Sequence, residues 1–266
     1  MLEIKDLHVT FTTTGKEAVK GISLCIGHGE RMGLVGESGS GKTVTAMALS
    51  GLIERSIVEM TGEVLFDGRD LLKCTRSELR TVHGKAIGMV FQEPMTSLNP
   101  LMRVGHQIEE TLRIHTNKTP EECYRLALEA MEQVGLPDPE TTYKKYPHQL
   151  SGGQRQRAII ASAMIIRPKL LICDEPNTAL DVTVQKQILD LLRSLSEEYG
   201  VGILLISHDM TVVRRLCEKV AVMYKGRIVE SGCTEKIFCD PQDEYTKRLI
   251  AAIPKRKRHD GNESRT

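Results

Sequence analysis

Residues 36–43 run Gly-Glu-Ser-Gly-Ser-Gly-Lys-Thr, the spacing G-x-x-x-x-G-K-[ST] that cradles phosphate. Gly36, Gly39 and Gly41 let the chain turn tightly and bring bare N–H groups against phosphate oxygens. Glu37, Ser38 and Ser40 complete the loop. A helix start directly after it adds partial positive charge. Lys42 can then reach the β- and γ-phosphates, and Thr43 can offer its hydroxyl to Mg²⁺. At ordinary glycine usage a chance match somewhere in such a chain is on the order of one in a hundred. The flanking pattern lowers that further.

Two more segments carry chemistry. Lys169-Leu170-Leu171-Ile172-Cys173-Asp174-Glu175 is an apolar strand ending in two carboxylates. At the carboxyl end of a parallel strand these face the ligand crevice. Asp174 is placed to hold Mg²⁺ through water, and Glu175 to accept a proton from an attacking water. Leu150-Ser151-Gly152-Gly153-Gln154 reads as a helix start. Ser151 is its N-cap, and Gln154 closes a capping box. Gly152 and Gly153 leave the first N–H groups unobstructed, so this start too can bind an anion. His208 follows an apolar run, a place where a lone histidine is more often structural than chemical.

These residues need a framework. Arg31–Val35 reads as a buried strand before the loop, and Val44–Leu52 as a helix packed through Met47, Leu49 and Leu52. Upstream, strand runs are predicted at Leu2–Ile4, Leu7–Phe11 and Ala18–Ile26, and downstream at Gly62–Asp67. Capping boxes at Thr75–Glu78 and Thr119–Glu122 open helices in the middle of the chain. Gly135 and Pro137 end the second, which carries Leu126, Ala127, Ala130, Met131 and Val134. Leu170–Cys173 and Gly202–Ile206 are short apolar runs typical of a parallel sheet buried on both faces, with Ile188, Leu191, Leu192 and Leu195 at helical spacing between them. Val220–Tyr224, Lys225-Gly226 and Arg227–Glu230 form a hairpin pattern. The expected class is α/β: a P-loop core with parallel sheet, an N-terminal antiparallel β subdomain, and a helical subdomain inserted at about 75–165. One domain is expected over residues 1–250, with a basic, disordered tail over 251–266.

Composition narrows the partners. A net charge of +1, no tryptophan and 4% aromatic residues argue against a nucleic-acid surface. No apolar run approaches the roughly 20 residues that span a bilayer. Seven cysteines lack framework spacing, which suggests a reducing compartment. Cys25 and Cys173 are expected as buried thiols. Cys233 and Cys239 are too few for an iron–sulfur cluster.

With the phosphate loop and the Asp-Glu strand, Leu-Ser-Gly-Gly-Gln closely resembles the signature of ABC-type ATPases. The resemblance spans residues 2 to about 250. It implies ATP and Mg²⁺ as ligands, and a head-to-tail pair of subunits. Ser151, Gly152, Gly153 and Gln154 would contact the ATP of the opposite subunit, and Asp181 in Ala179-Leu180-Asp181 would cross the interface. Gln92 would touch Mg²⁺ and the attacking water, and His208 would be the switch histidine. Phe11 is the candidate to stack on adenine, with a core role equally open.

Phe91-Gln92-Glu93-Pro94-Met95-Thr96-Ser97-Leu98-Asn99-Pro100 is similar to the dipeptide/oligopeptide/nickel importer branch, and more to its D-type than its F-type ATPase subunit. Asp174–Gln185 supports the same branch, with Asn177 where threonine usually stands, and Tyr245–Leu249 resembles its C-terminal docking segment. The branch implies an F-type partner ATPase or a homodimer, two membrane permeases, and a solute-binding protein met only indirectly. No nucleic acid is expected, and the place is the cytoplasmic face of the membrane. The function expected is coupling of ATP hydrolysis to uptake of peptides or nickel. The alternative is a cytosolic ABC ATPase acting on a soluble assembly scaffold. Pro94 and Pro100 break any continuous helix. Met95, Leu98, Leu101, Met102 and Val104 therefore cannot all face one core, and some of them are expected to be exposed as a groove for a permease helix.

Overall fold

The computed structural model describes residues 1–91, 97–176 and 180–253. Two sheets divide the strands. β1 (Leu2–Phe11), β2 (Lys16–Ile26), β4 (Val58–Phe66) and the short β5 (Arg69–Asp70) form an antiparallel sheet in the order β2-β1-β4-β5. The two predicted N-terminal runs are one strand, because Asp6 takes φ 48° and bends β1 without ending it. The second sheet has the order β10-β9-β3-β8-β7-β6. It uses β3 (Arg31–Val35), β6 (Ile87–Val90), β7 (Leu170–Asp174), β8 (Gly202–Ser207), β9 (Lys219–Tyr224) and β10 (Arg227–Cys233). All its pairs are parallel except the β9–β10 hairpin.

The parallel strands are apolar on both faces because each face meets a different core. Along β8, Leu204 and Ile206 join the antiparallel sheet and the helix after the phosphate loop. Ile203 and Leu205 join the helical layer instead. The strand period of two thus separates two cores across one sheet. The same alternation corrects the expectation for Cys25. It lies between the buried Leu24 and Ile26 on β2 and is exposed, whereas Cys173 is buried.

The helix after the loop, α1, runs Lys42–Leu49. It is shorter than predicted, because Gly51 turns at φ 62° and leaves Leu52 49% exposed. α2 (Arg76–Val82), α3 (Val104–His115), α4 (Pro120–Gln133), α5 (Pro139–Lys144) and α6 (Gly152–Met164) follow. The boxes at Thr75/Glu78 and Thr119/Glu122 are made in full. Ile108, Ala127, Met131 and Ile160 weld α3, α4 and α6 together. α7 (Val182–Tyr199) and α8 (Met210–Leu216) cover the sheet, and α9 (Thr234–Cys239) and α10 (Glu244–Ala251) close the described chain.

Of the groups expected to divide between core and groove, Leu98 (4% exposed) and Val104 (0%) are buried, while Leu101 is 86% exposed. A proline ends a helix but does not decide which side chains the next helix buries. Met95 lies outside the described residues, as do Gln92, Asn177, Ala179 and residues 254–266.

Candidate functional site

In the strand order β3-β8-β7, three adjacent strands end side by side. Their carboxyl ends carry the phosphate loop, His208 and Asp174-Glu175 respectively, at the edge where open α/β sheets bind ligands. Gly36 admits no other residue. A Cβ there would sit 2.1 Å from the Met223 carbonyl oxygen. Gly41 is the N-cap of α1 and supplies no side-chain cap, so the first N–H groups of the helix have no side-chain acceptor. Lys42 is buried, and its Nζ donates to the carbonyls of Gly36 (2.7 Å) and Glu37 (2.9 Å). Burial holds its ammonium below the ordinary lysine range, against the pull of Glu175, Asp174 and Glu37.

A cleft of about 210 Å³ opens over the loop, lined by Ser38, Gly39, Gly41, Lys42, Thr43 and Glu175 among others. Phe11, Lys16 and Val44 line it too. Lys16 and Val44 were not singled out in the sequence. Lys16 reaches the cleft because it pairs with Phe11 across the β1–β2 turn, and no local motif marks that.

Asp174 is 3% exposed. Burial pushes its carboxyl above the usual carboxylate range. A hydrogen bond with Thr43 opposes this, the like charge of Glu175 adds to it, and Lys42 opposes it. Its Oδ1 is buried with no hydrogen-bond partner among the described residues. An orphaned carboxylate oxygen beside a threonine hydroxyl suits a hard divalent cation with oxygen ligands. Glu175 takes φ 46°, in the left-handed region. Its N–H donates to the Ile206 carbonyl (2.9 Å), and its Oε1 lies 2.9 Å from His208 Nδ1.

The signature residues lie elsewhere. The Gln154 N–H donates to Ser151 Oγ (3.3 Å), and the Ser151 N–H to Gln154 Oε1 (3.0 Å). A Cβ on Gly153 would meet Val184 Cγ1 at 2.8 Å, so this glycine also serves helix packing. Asp181 caps α7 by accepting from the Val184 N–H (2.9 Å). None of Ser151, Gly152, Gly153, Gln154 and Asp181 lines the phosphate cleft. Within one chain the two glycine-flanked helix starts are not brought together.

The family model described as ABC transporter matches residues 19–178. The chain belongs to the ABC transporter ATPases. It is 48% identical over 257 residues to the oligopeptide transport ATP-binding protein OppD of Bacillus subtilis, covering 96% of this chain and 72% of that one. It is 45% identical to OppD of Escherichia coli, covering 96% and 76%. It is 43% identical to the dipeptide transport ATP-binding protein DppD of B. subtilis, covering 96% and 77%. Among solved structures, a dimeric ATP-binding cassette in a post-hydrolysis state with ADP and Pi matches with a TM-score of 0.78. It is 29% identical, and the match covers 88% of this chain and 99% of that one. The chain is accordingly an ATP hydrolase of the ABC type.

An apolar surface is open beside the helical layer. A cavity of about 260 Å³ between α1, β6 and the helical layer is lined by Leu52, His83, Met89, Phe91, Leu98 and Ser162. A neighbouring cleft shares Leu52 and His83 and extends to Ile114 and His115. Leu52 (49%), Phe91 (43%) and Ile114 (68%) are exposed along it. No helix among the described residues is long and apolar enough to cross a membrane.

Proposed function

We propose that this chain is the ATPase subunit of an importer for dipeptides, oligopeptides or nickel, working at the cytoplasmic face of the membrane. The observation that carries the chemistry is the convergence of Lys42, Asp174 and the Glu175–His208 pair at three neighbouring strand ends. Gly36 to Thr43 would bind the ATP phosphates, with Lys42 leaving its two loop carbonyls for the β- and γ-phosphates. Phe11 would border the adenine. Thr43, Asp174 and Gln92 would hold Mg²⁺, which neutralises phosphate charge when bound. Glu175 would take the proton of the attacking water, and His208 would orient the Glu175 carboxylate. Glu175→Gln should keep ATP binding while turnover falls by roughly 10²–10⁴-fold. Hydrolysis near the wild-type rate would sink the assignment.

The signature start and Asp181 would serve the nucleotide of a second ATPase subunit, an F-type partner or another copy. The dimeric cassette to which the chain is similar supports this reading, as does the separation of the two helix starts. Two permeases would seat on the open surface, each presenting a helix to Leu52, Phe91 and Ile114. Its mixture of exposed apolar groups and a recess fits helix-in-groove recognition. Leu52→Asp with Ile114→Asp should leave the fold and ATP binding intact but abolish co-purification with the permeases. Retained assembly would place the interface elsewhere.

A further inference from the structure

We infer that Tyr245, on the C-terminal helix α10, is a positioning residue for the phosphate loop. Its hydroxyl holds the Glu37 peptide when Lys42 turns from the loop's own carbonyls to ATP. The inference rests on the proposed role of Lys42 as a phosphate ligand.

The Glu37 N–H donates to the Tyr245 hydroxyl at 2.9 Å, across 208 residues of sequence. Tyr245 is 4% exposed, and burial raises its phenol above the ordinary tyrosine range, so the hydroxyl is neutral at physiological pH. The residue is fixed from three sides. The Asp243 carboxylate caps α10 by accepting from the Tyr245 N–H (2.8 Å) and the Thr246 N–H (3.3 Å). Glu230 on β10 ties the segment to the sheet by accepting from the Gln242 N–H (2.8 Å) and the Asp243 N–H (3.1 Å). The Tyr245 ring stacks on Tyr224 with centroids 4.1 Å apart. A side chain this constrained can hold a loop in register.

The loop is gripped from two directions. On its outer side, the Met223 carbonyl abuts Gly36, the Gly226 N–H donates to the Ser40 carbonyl (2.9 Å), and Tyr245 takes the Glu37 N–H. On its inner side, Lys42 holds the Gly36 and Glu37 carbonyls. Binding of the phosphates draws Lys42 away, and the inner grip is lost. The outer grip then decides whether the Gly36–Glu37 peptide keeps its shape. Removing the Tyr245 hydroxyl therefore weakens the nucleotide-bound state more than the free one.

The test is Tyr245→Phe, which keeps the ring stack and deletes the acceptor. MgADP binding to the whole chain is measured by calorimetry. KM and kcat for MgATP are measured in the assembled complex, and Tm in the chain without nucleotide. The expected result is a Kd and KM raised about three- to tenfold, the size of one net hydrogen bond, with kcat held within about twofold. An unchanged Kd with a lowered Tm would make Tyr245 merely structural and overturn the inference. So would a fall in kcat at unchanged KM. Lys42→Ala, run in parallel, should lose MgADP binding. If it binds like wild type, the reading of the loop fails, whatever Tyr245 does.

Discussion

The two glycine-flanked helix starts are built on opposite principles. At Lys42 the helix has no side-chain cap, the lysine is buried, and a neighbouring carboxylate oxygen is orphaned. At Gly152 the capping box is closed, and Ser151 and Gln154 satisfy one another. The first start is electrostatically incomplete without a ligand. The second is complete as a helix end and offers only the N–H groups of Gly152 and Gly153 beyond its cap. A ligand from the chain's own cleft can complete the first. The second lies outside that cleft, and under the proposed assignment it would be met by the nucleotide of another body. The difference predicts separable mutational signatures: function without stability at the first start, and both together at the second.

The sharpest break of this comparison is Glu175→Gln, with the loss of turnover given above and no fall in Tm. Gly153→Val comes next. Its side chain would collide with Val184, and overpacking of this kind costs about 1–3 kcal/mol. Thermal unfolding should show a lowered Tm, with MgADP affinity of the isolated chain unchanged. Loss of that affinity would mean that the two starts communicate within one chain.

Asp174→Asn should raise the Tm of the metal-free chain while removing the Mg²⁺ dependence of nucleotide binding. Burial raises the Asp174 carboxyl above its unfolded value. Its stabilising contribution is therefore present below the unfolded pKa and is lost as pH rises through the folded one. The metal-free chain should lose stability over that window above the ordinary carboxylate range, and Asp174→Asn should flatten the slope. A Tm lowered by Asp174→Asn would contradict the idea of an incomplete site. The smallest effect is that of Ser151→Ala. Losing the cap costs about 1 kcal/mol, seen as a modest fall in Tm. Hydrolysis should fall in the assembled dimer, while MgADP binding to the single chain stays unchanged. An unaltered dimer activity would remove Ser151 from the partner's site.

Much of this arrangement was legible because it is local. The boxes at Thr75/Glu78, Thr119/Glu122 and Ser151/Gln154 follow from hydrogen bonds spanning three residues. The Asp174-Glu175 strand end followed from an apolar run of strand length. The misreadings have non-local causes. Leu52 fits a helical spacing, yet the Gly51 turn takes it out of α1 and onto the open surface. The proline-broken segment did not say which of its apolar groups would be exposed; packing with Ile108 and Ile160 buries Leu98 and Val104 and leaves Leu101 outside. Cys25 is apolar enough to be buried, but strand alternation puts it on the exposed side.

By itself the sequence determined the phosphate loop, the strand that ends in two carboxylates, the helix caps and the family resemblance. These depend on residue types within a few positions of each other, where backbone geometry leaves few choices. The tertiary structure alone decided that β8 lies between β3 and β7, so that His208 meets Glu175 while Glu175 and Asp174 act on Lys42. It decided that Lys16 shares the phosphate cleft and that Tyr245 reaches Glu37. It also left the signature outside the cleft of its own chain. Such contacts join segments tens to hundreds of residues apart. Their partners are chosen by which faces the two cores bury together, and no local pattern records that choice.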